Sequence, residues 1–231
     1  MLPVIVSIHG GGWVYGDKER YQYYCMSLAQ RGFAVVNFSY RLAPEYKYPS
    51  GMEDTNTVFR WVFDNAATYG FDTGHIFAVG DSAGAHMLAI YSCICTNPTY
   101  AARYDFAPPA GFAPTAVALN CGAYLMSRER DQLMAELLPG GGTPEEIDFI
   151  SPLGHMTPDF PPTFLMTATE DFLKPQAPVF AARLAELEVP FVYRFYGDRH
   201  TRLGHVFHCD MRSEWASLCN DEECDFFRRF L

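Results

Sequence analysis

The sequence has no CxxC pair, no apolar run approaching the roughly 18 residues that cross a bilayer, and too few basic residues to balance its acidic ones. Lysine and arginine number 17 against 27 aspartates and glutamates, a formal net charge of −10. With no basic stripe, nucleic acid is not an expected partner, and the acidic surface mildly repels anionic substrates at long range. Met1 leads straight into LPVIVSIHG, without a basic stretch or a small-residue cleavage site, so no secretory signal is expected. The seven cysteines are odd in number, which in a chain this long reads as free thiols in a reducing cytoplasm. Cys93 and Cys95 sit two apart on an expected helix, face different sides and are poor joint ligands.

What is present fits one folded domain spanning residues 1–231, with 49% hydrophobic and 19% charged residues. Val4–Ile8 is apolar on both faces and β-branched, as suits a strand covered on both sides of a parallel sheet. Phe33–Phe38, His75–Gly80, Ala116–Cys121, Thr163–Thr169 and Phe191–Tyr196 give five further strands. Helices are expected over Asp17–Arg31 with Gly32 as its stop, around Met52–Ala66, over Ala83–Cys95, over Pro175–Leu187 and over Glu214–Phe230. Alternating strands and helices imply an α/β fold, a mostly parallel sheet with helices on both faces. Residues 122–162 break the rhythm and read as a lid-like insertion.

In such sheets ligands bind beyond the carboxyl ends of the strands. The first strand is followed there by HGGGW, the third by GDSAG, the fifth by EDFL, and the sixth by a loop with three histidines. GDSAG fits G-x-S-x-G on a strand–turn–helix, which would push the Ser82 hydroxyl out above the sheet. A serine hydroxyl is a weak nucleophile and needs a base, itself oriented by an acid. Asp171 as acid and His205 as base follow in the required chain order. Glu170 competes with Asp171 but lies one position nearer the strand, where capping suits it better. His200 reads as exposed, and His86, one turn after Ser82, as helix packing. The histidine cluster lacks a carboxylate at zinc-motif spacing, so no metal is expected. Glycines admit close backbone approach, so Gly10, Gly11 and Gly12 read as one wall of an oxyanion hole opposite the N–H of Ala83. His9 reads as an anchor of that loop.

HGGGW at His9–Trp13, YRLAPE at Tyr40–Glu45, GDSAG at Gly80–Gly84 and HVF at His205–Phe207 together resemble the hormone-sensitive-lipase-like group of α/β-hydrolases, with its bacterial carboxylesterases and acetyl-ester hydrolases. The resemblance covers nearly the whole chain and implies a serine carboxylesterase that needs no cofactor. Residue by residue it implies Ser82 as nucleophile, His205 as base, Asp171 as acid, and Gly10, Gly11 and Ala83 as oxyanion donors. It also implies that Arg41 and Glu45 tie loops together near the site. Two departures stand out: only Met1–Ile8 precede HGGG, so the family's leading strands are missing from this sequence, and Val206 replaces the glycine usual after the histidine. A bared sheet edge would favour a homodimer. Short-chain acyl esters are the expected substrates. The alternatives are an amide or formamide deacylase of arylformamidase type and a non-catalytic small-molecule receptor. A nucleotide-binding protein is excluded, since neither G-x-G-x-x-G nor a P-loop follows the first strand.

Overall fold

The structure, a computed structural model, describes residues 1–126 and 132–231. Six strands, β1 (Leu2–Ile8), β2 (Ala34–Phe38), β3 (Phe71–Asp81), β4 (Val117–Asn120), β5 (Thr163–Ala168) and β6 (Phe191–Tyr196), form one sheet in the order β2-β1-β3-β4-β5-β6. Every pairing is parallel. The helices in chain order are α1 (Lys18–Ala29), α2 (Ser50–Asp64), α3 (Ala66–Tyr69), α4 (Ala83–Thr96), α5 (Pro98–Ala101), α6 (Gln132–Leu137), α7 (Pro144–Phe149), α8 (Gln176–Glu186) and α9 (Glu214–Arg228).

Alternation along β1 sorts its side chains between two cores. Val4, Val6 and Ile8 join Phe59 of α2, Leu88 of α4 and Phe180 of α8, while Ile5 joins Leu28 of α1 and Phe227 of α9. Helices therefore cover both faces of the parallel sheet, the layering that alternating strands and helices imply. Every residue from Ala83 to Ile94 is buried, so α4 is the central helix and is covered on all sides. Asp17 caps α1 by accepting from the Arg20 N–H at 2.9 Å.

β3 begins four residues before the expected His75. The β1–β3 register runs Leu2↔Phe71 and Pro3↔Asp72, then jumps to Val4↔Ile76. The intervening polar residues are pushed out of the ladder, and no alternating pattern marks them as strand. Past the jump, Ser7 pairs with Val79 and Ile8 with Gly80, which sets HGGGW and GDSAG side by side. Of the expected insertion, residues 127–131 lie outside the described residues; the remainder carries α6 and α7 and docks on the 40s loop through Tyr48 N–H to Leu137 O at 2.8 Å. A capping box between Thr143 and Glu146 starts α7.

The core under the sheet's α1/α9 face holds a carboxyl group. Glu223 of α9 is fully buried, and accepts from Asn120 Nδ2 at 2.6 Å and from the Tyr24 hydroxyl at 3.0 Å. Burial pushes it up to about 7, against the pull of those two hydrogen bonds. Its folded pKa thus lies above its unfolded one, so between about pH 4.5 and 7 the native state holds a proton that the unfolded chain releases. Stability from this site falls as pH rises through that window. Glu223→Gln keeps both contacts, because the Tyr24 hydroxyl can turn and accept. It should raise Tm at pH 8 by roughly 5 °C, about 2 kcal/mol in a chain this size, and by much less at pH 5. Thermal melts across that range check this; an equal gain at both pH values would contradict it.

Candidate active site

The turn from β3 into α4 places Ser82 at φ 52°, ψ −118°, a left-handed conformation that an L-residue adopts only under strain. Its flanking glycines make the turn sterically feasible. A Cβ on Gly84 would stand 2.1 Å from the Ile8 carbonyl oxygen, and one on Gly80 would stand 2.5 Å from that of Gly84. The absence of both side chains lets α4 pack directly on the end of β1.

His205 lies in the loop after β6. That loop is braced against the end of β5 by Glu170 N–H to Leu203 O at 2.8 Å and Leu203 N–H to Thr169 Oγ1 at 2.9 Å. The bracing brings His205 Nδ1 to 2.6 Å from Asp171 Oδ1. Asp171 is buried and also accepts from Thr167 Oγ1 at 2.6 Å and from the Leu173 N–H at 2.9 Å. Burial alone would raise its pKa, but the hydrogen bonds from His205, Thr167 and Leu173 together outweigh that and hold it below the usual carboxylate range. Asp171 is therefore an ionised acceptor facing one nitrogen of the imidazole.

Ser82 and His205 both line two cavities. The larger, about 410 Å³, is walled mainly by apolar groups including Trp13, Leu125, Met126, Leu133 and Leu173. The smaller, about 240 Å³, is bordered by Arg20, Tyr21, Asp81 and Cys209. Among the described residues no hydrogen bond joins the Ser82 hydroxyl to His205. Such contacts are often loose without a bound substrate and tighten on binding. Phe172 rests on the His205 ring, centroids 4.3 Å apart, yet is 72% exposed, so it forms part of the rim of the larger cavity.

The glycine loop differs in one respect from the sequence reading. The Gly10 N–H donates to the Tyr21 hydroxyl at 3.1 Å, and that hydroxyl donates to Asp81 Oδ2 at 2.7 Å. The N–H of Gly10, expected as an oxyanion donor, is thus taken by a hydrogen bond to Tyr21. Among the described residues, the N–H groups of Gly11, Gly12 and Ala83 have no acceptor. Gly11 at φ 123° reverses the chain, and a Cβ there would meet the Tyr15 carbonyl oxygen at 1.9 Å. His9 stacks on Tyr40 at 4.2 Å and contacts the Gly10 carbonyl at 2.7 Å, as an anchor should.

Other residues from the sequence reading fall away from the chemistry. Glu170 is exposed and 4.0 Å from Arg202. His200 is exposed and accepts from Arg199 Nε at 2.8 Å. His208 is fully buried, and burial drives it down to about 3. Arg41 ties the 40s loop to α2 through Asp54 and Glu53, whereas Glu45 is exposed and forms no such tie among the described residues. The sequence offered no signal for Tyr21, Thr167 or Cys121. Cys121 Sγ, an Asp171 oxygen and a His205 nitrogen lie within 4.8 Å of one another. Burial first, then the charge of Asp171, holds that thiol well above its ordinary range, so it stands there as a neutral neighbour.

A family profile described as an alpha/beta hydrolase fold matches residues 5–208. Carboxylesterase NlhH of Mycobacterium tuberculosis is 32% identical over 200 residues, which cover 79% of this chain and 60% of that protein. Esterase LipI of the same organism is 30% identical over 208 residues, 81% of this chain and 61% of its own. The chain thus spans about 60% of the length of these curated relatives. Among solved structures, an inhibited esterase B from Lactobacillus rhamnosis superposes with a TM-score of 0.89 at 25% identity, over 100% of this chain and 77% of that one. The esterase of the archaeon Pyrobaculum calidifontis superposes with a TM-score of 0.81 at 25% identity, over 99% and 75%.

Proposed function

The chain belongs to the alpha/beta hydrolase family, and from that membership we propose that it is a serine carboxylesterase acting on esters of short acyl chains through Ser82, His205 and Asp171. The observation that carries this reading is the 2.6 Å hydrogen bond between His205 and a buried, ionised Asp171, at the edge of both cavities that Ser82 also lines. The relatives' names, a carboxylesterase and an esterase, point the same way.

In the reaction, His205 takes the Ser82 proton on the nitrogen turned away from Asp171 as the hydroxyl oxygen attacks the ester carbonyl. The negative oxygen of the tetrahedral intermediate is met by the N–H groups of Gly11, Gly12 and Ala83, each such donor being typically worth about 3–4 kcal/mol in the transition state. His205 returns the proton to the departing alcohol, leaving an acyl-serine. Water then enters, gives its proton to His205, and releases the acid by the same steps in reverse. The apolar walls of the larger cavity, among them Leu133 and Met134 of the 122–162 insertion, suit the acyl chain, so we read that insertion as substrate wall rather than closing lid. Its volume of about 410 Å³ exceeds what an acetyl group fills, which extends the expected range to somewhat longer chains. Seven free cysteines fit a cytoplasmic location.

A series of p-nitrophenyl esters tests the assignment. kcat/KM should rise from acetate to butyrate or hexanoate and fall by at least about tenfold at palmitate, as the chain outgrows the cavity. A fluorophosphonate should label the protein at one equivalent, on Ser82. Faster turnover of N-formyl or N-acetyl anilides than of the matching esters would replace the esterase reading by the deacylase one.

A further inference from the structure

His86 joins the central helix α4 to the glycine loop through Trp13. It is fully buried, one turn after Ser82 on α4, with its own N–H on the Ser82 carbonyl at 3.2 Å. Its ring is hydrogen-bonded at both ends. Trp13 Nε1 donates to Nδ1 at 3.2 Å, and Nε2 lies 2.7 Å from the Ile150 carbonyl oxygen. An indole N–H can only donate and a carbonyl can only accept, which fixes the neutral tautomer with its proton on Nε2. Burial keeps the ring neutral, its pKa driven down to about 4.

Trp13 needs such a hold. Directly after Gly12, it has φ 65°, a region costly to a residue with a side chain. Its carbonyl accepts from the Ala43 N–H at 3.0 Å, and its indole meets the His86 ring edge-on at 5.2 Å and 86°. Ala83 rides on α4 with His86, and Gly12 rides on the loop with Trp13. The Trp13–His86 bond therefore links the loop that carries Gly12 to the helix that carries Ala83, two residues that line the same cavity.

We infer that His86 is a positioning residue for ester hydrolysis: through Trp13 it fixes the width of the oxyanion hole, and through Ile150 it ties that hole to the substrate-wall insertion. The inference rests on the serine hydrolase reading above. A misplacement of about 1 Å in such a site can cost on the order of 100-fold.

Bond counting separates the two ends of the ring. The Asn side-chain oxygen lies two bonds from Cβ, as Nδ1 does, and can accept from Trp13. The Gln amide nitrogen lies three bonds from Cβ, as Nε2 does, and can donate to Ile150. His86→Asn should keep kcat for p-nitrophenyl butyrate within about threefold of wild type, while His86→Gln and His86→Leu lose about 30- to 100-fold, with KM changed less than threefold. Binding of a trifluoromethyl ketone, which forms a tetrahedral adduct, should weaken in parallel with kcat/KM. Trp13→Phe removes the same bond from the other side and should add no further loss on top of His86→Gln. Equal losses for the Asn and Gln variants, losses confined to KM, or additive losses in the double variant would overturn the role. These failures are distinct from failure of the hydrolase reading, which would appear as a wild type without esterase activity or an active Ser82→Ala.

Discussion

Ser82→Ala should lower kcat/KM for p-nitrophenyl butyrate by at least about 10⁴-fold and abolish labelling by a fluorophosphonate. The loss is large because the acyl-enzyme route disappears with the hydroxyl, and only water attack assisted by the amide donors remains. Stability should barely change. Alanine shares the left-handed strain of serine at φ 52°, and the hydroxyl has no hydrogen-bond partner among the described residues. A melt within about 2 °C of wild type, beside lost turnover, separates chemistry from folding. Retention of activity within tenfold of wild type would remove Ser82 from the mechanism.

Asp171→Ala should cost about 10⁴-fold in kcat, and Asp171→Asn distinctly less. The reason lies in what surrounds the carboxylate. Oδ1 accepts from two groups that can only donate, the His205 Nδ1–H and the Leu173 N–H, whereas Oδ2 accepts from the Thr167 hydroxyl, which can reverse. An asparagine would therefore settle with its oxygen toward His205 and its NH₂ toward Thr167. The imidazole keeps its tautomer and loses only the charge that stabilises the imidazolium. Asp171→Ala loses both. Steady-state kinetics on the two variants decide the matter; equal losses would mean that charge alone accounts for the role of Asp171. Since the folded pKa of Asp171 is depressed, the stability it lends is present above its unfolded pKa and is lost as pH falls through the folded value. Both variants should accordingly show a weaker acid-side decline in Tm than wild type.

Much of this was legible in the sequence where a local rule holds. The six strands are apolar runs bounded by turn residues, and β6 appears with the bounds expected, Phe191–Tyr196. Ser82 announces itself because the sharp turn needs Gly80 and Gly84, a requirement visible in five residues. The illegible parts depend on partners distant in the chain. Nothing near Gly10 tells that Tyr21, on the next helix, takes its N–H. The early start of β3 follows from a register jump against Pro3 and Val4, which no pattern within Asp72–His75 encodes. Glu45 stands in a recognisable motif, but on an exposed loop it makes no tie among the described residues. His86 reads as ordinary helix packing until Trp13 and Ile150, 73 positions before it and 64 after, are seen at its two ring nitrogens.

Because Ile8 pairs with Gly80, the HGGGW and GDSAG backbones leave from the two ends of one rung of the ladder. Their starting separation is the interstrand repeat of about 4.8 Å, a length that no side chain sets. Deleting one residue from either strand would flip its remaining residues to the opposite face and dismantle the centre altogether. Divergence in substrate range is thereby channelled away from the ladder and into the cavity linings, where Leu125, Leu133 and Phe172 can be exchanged while the machinery between them stays in place.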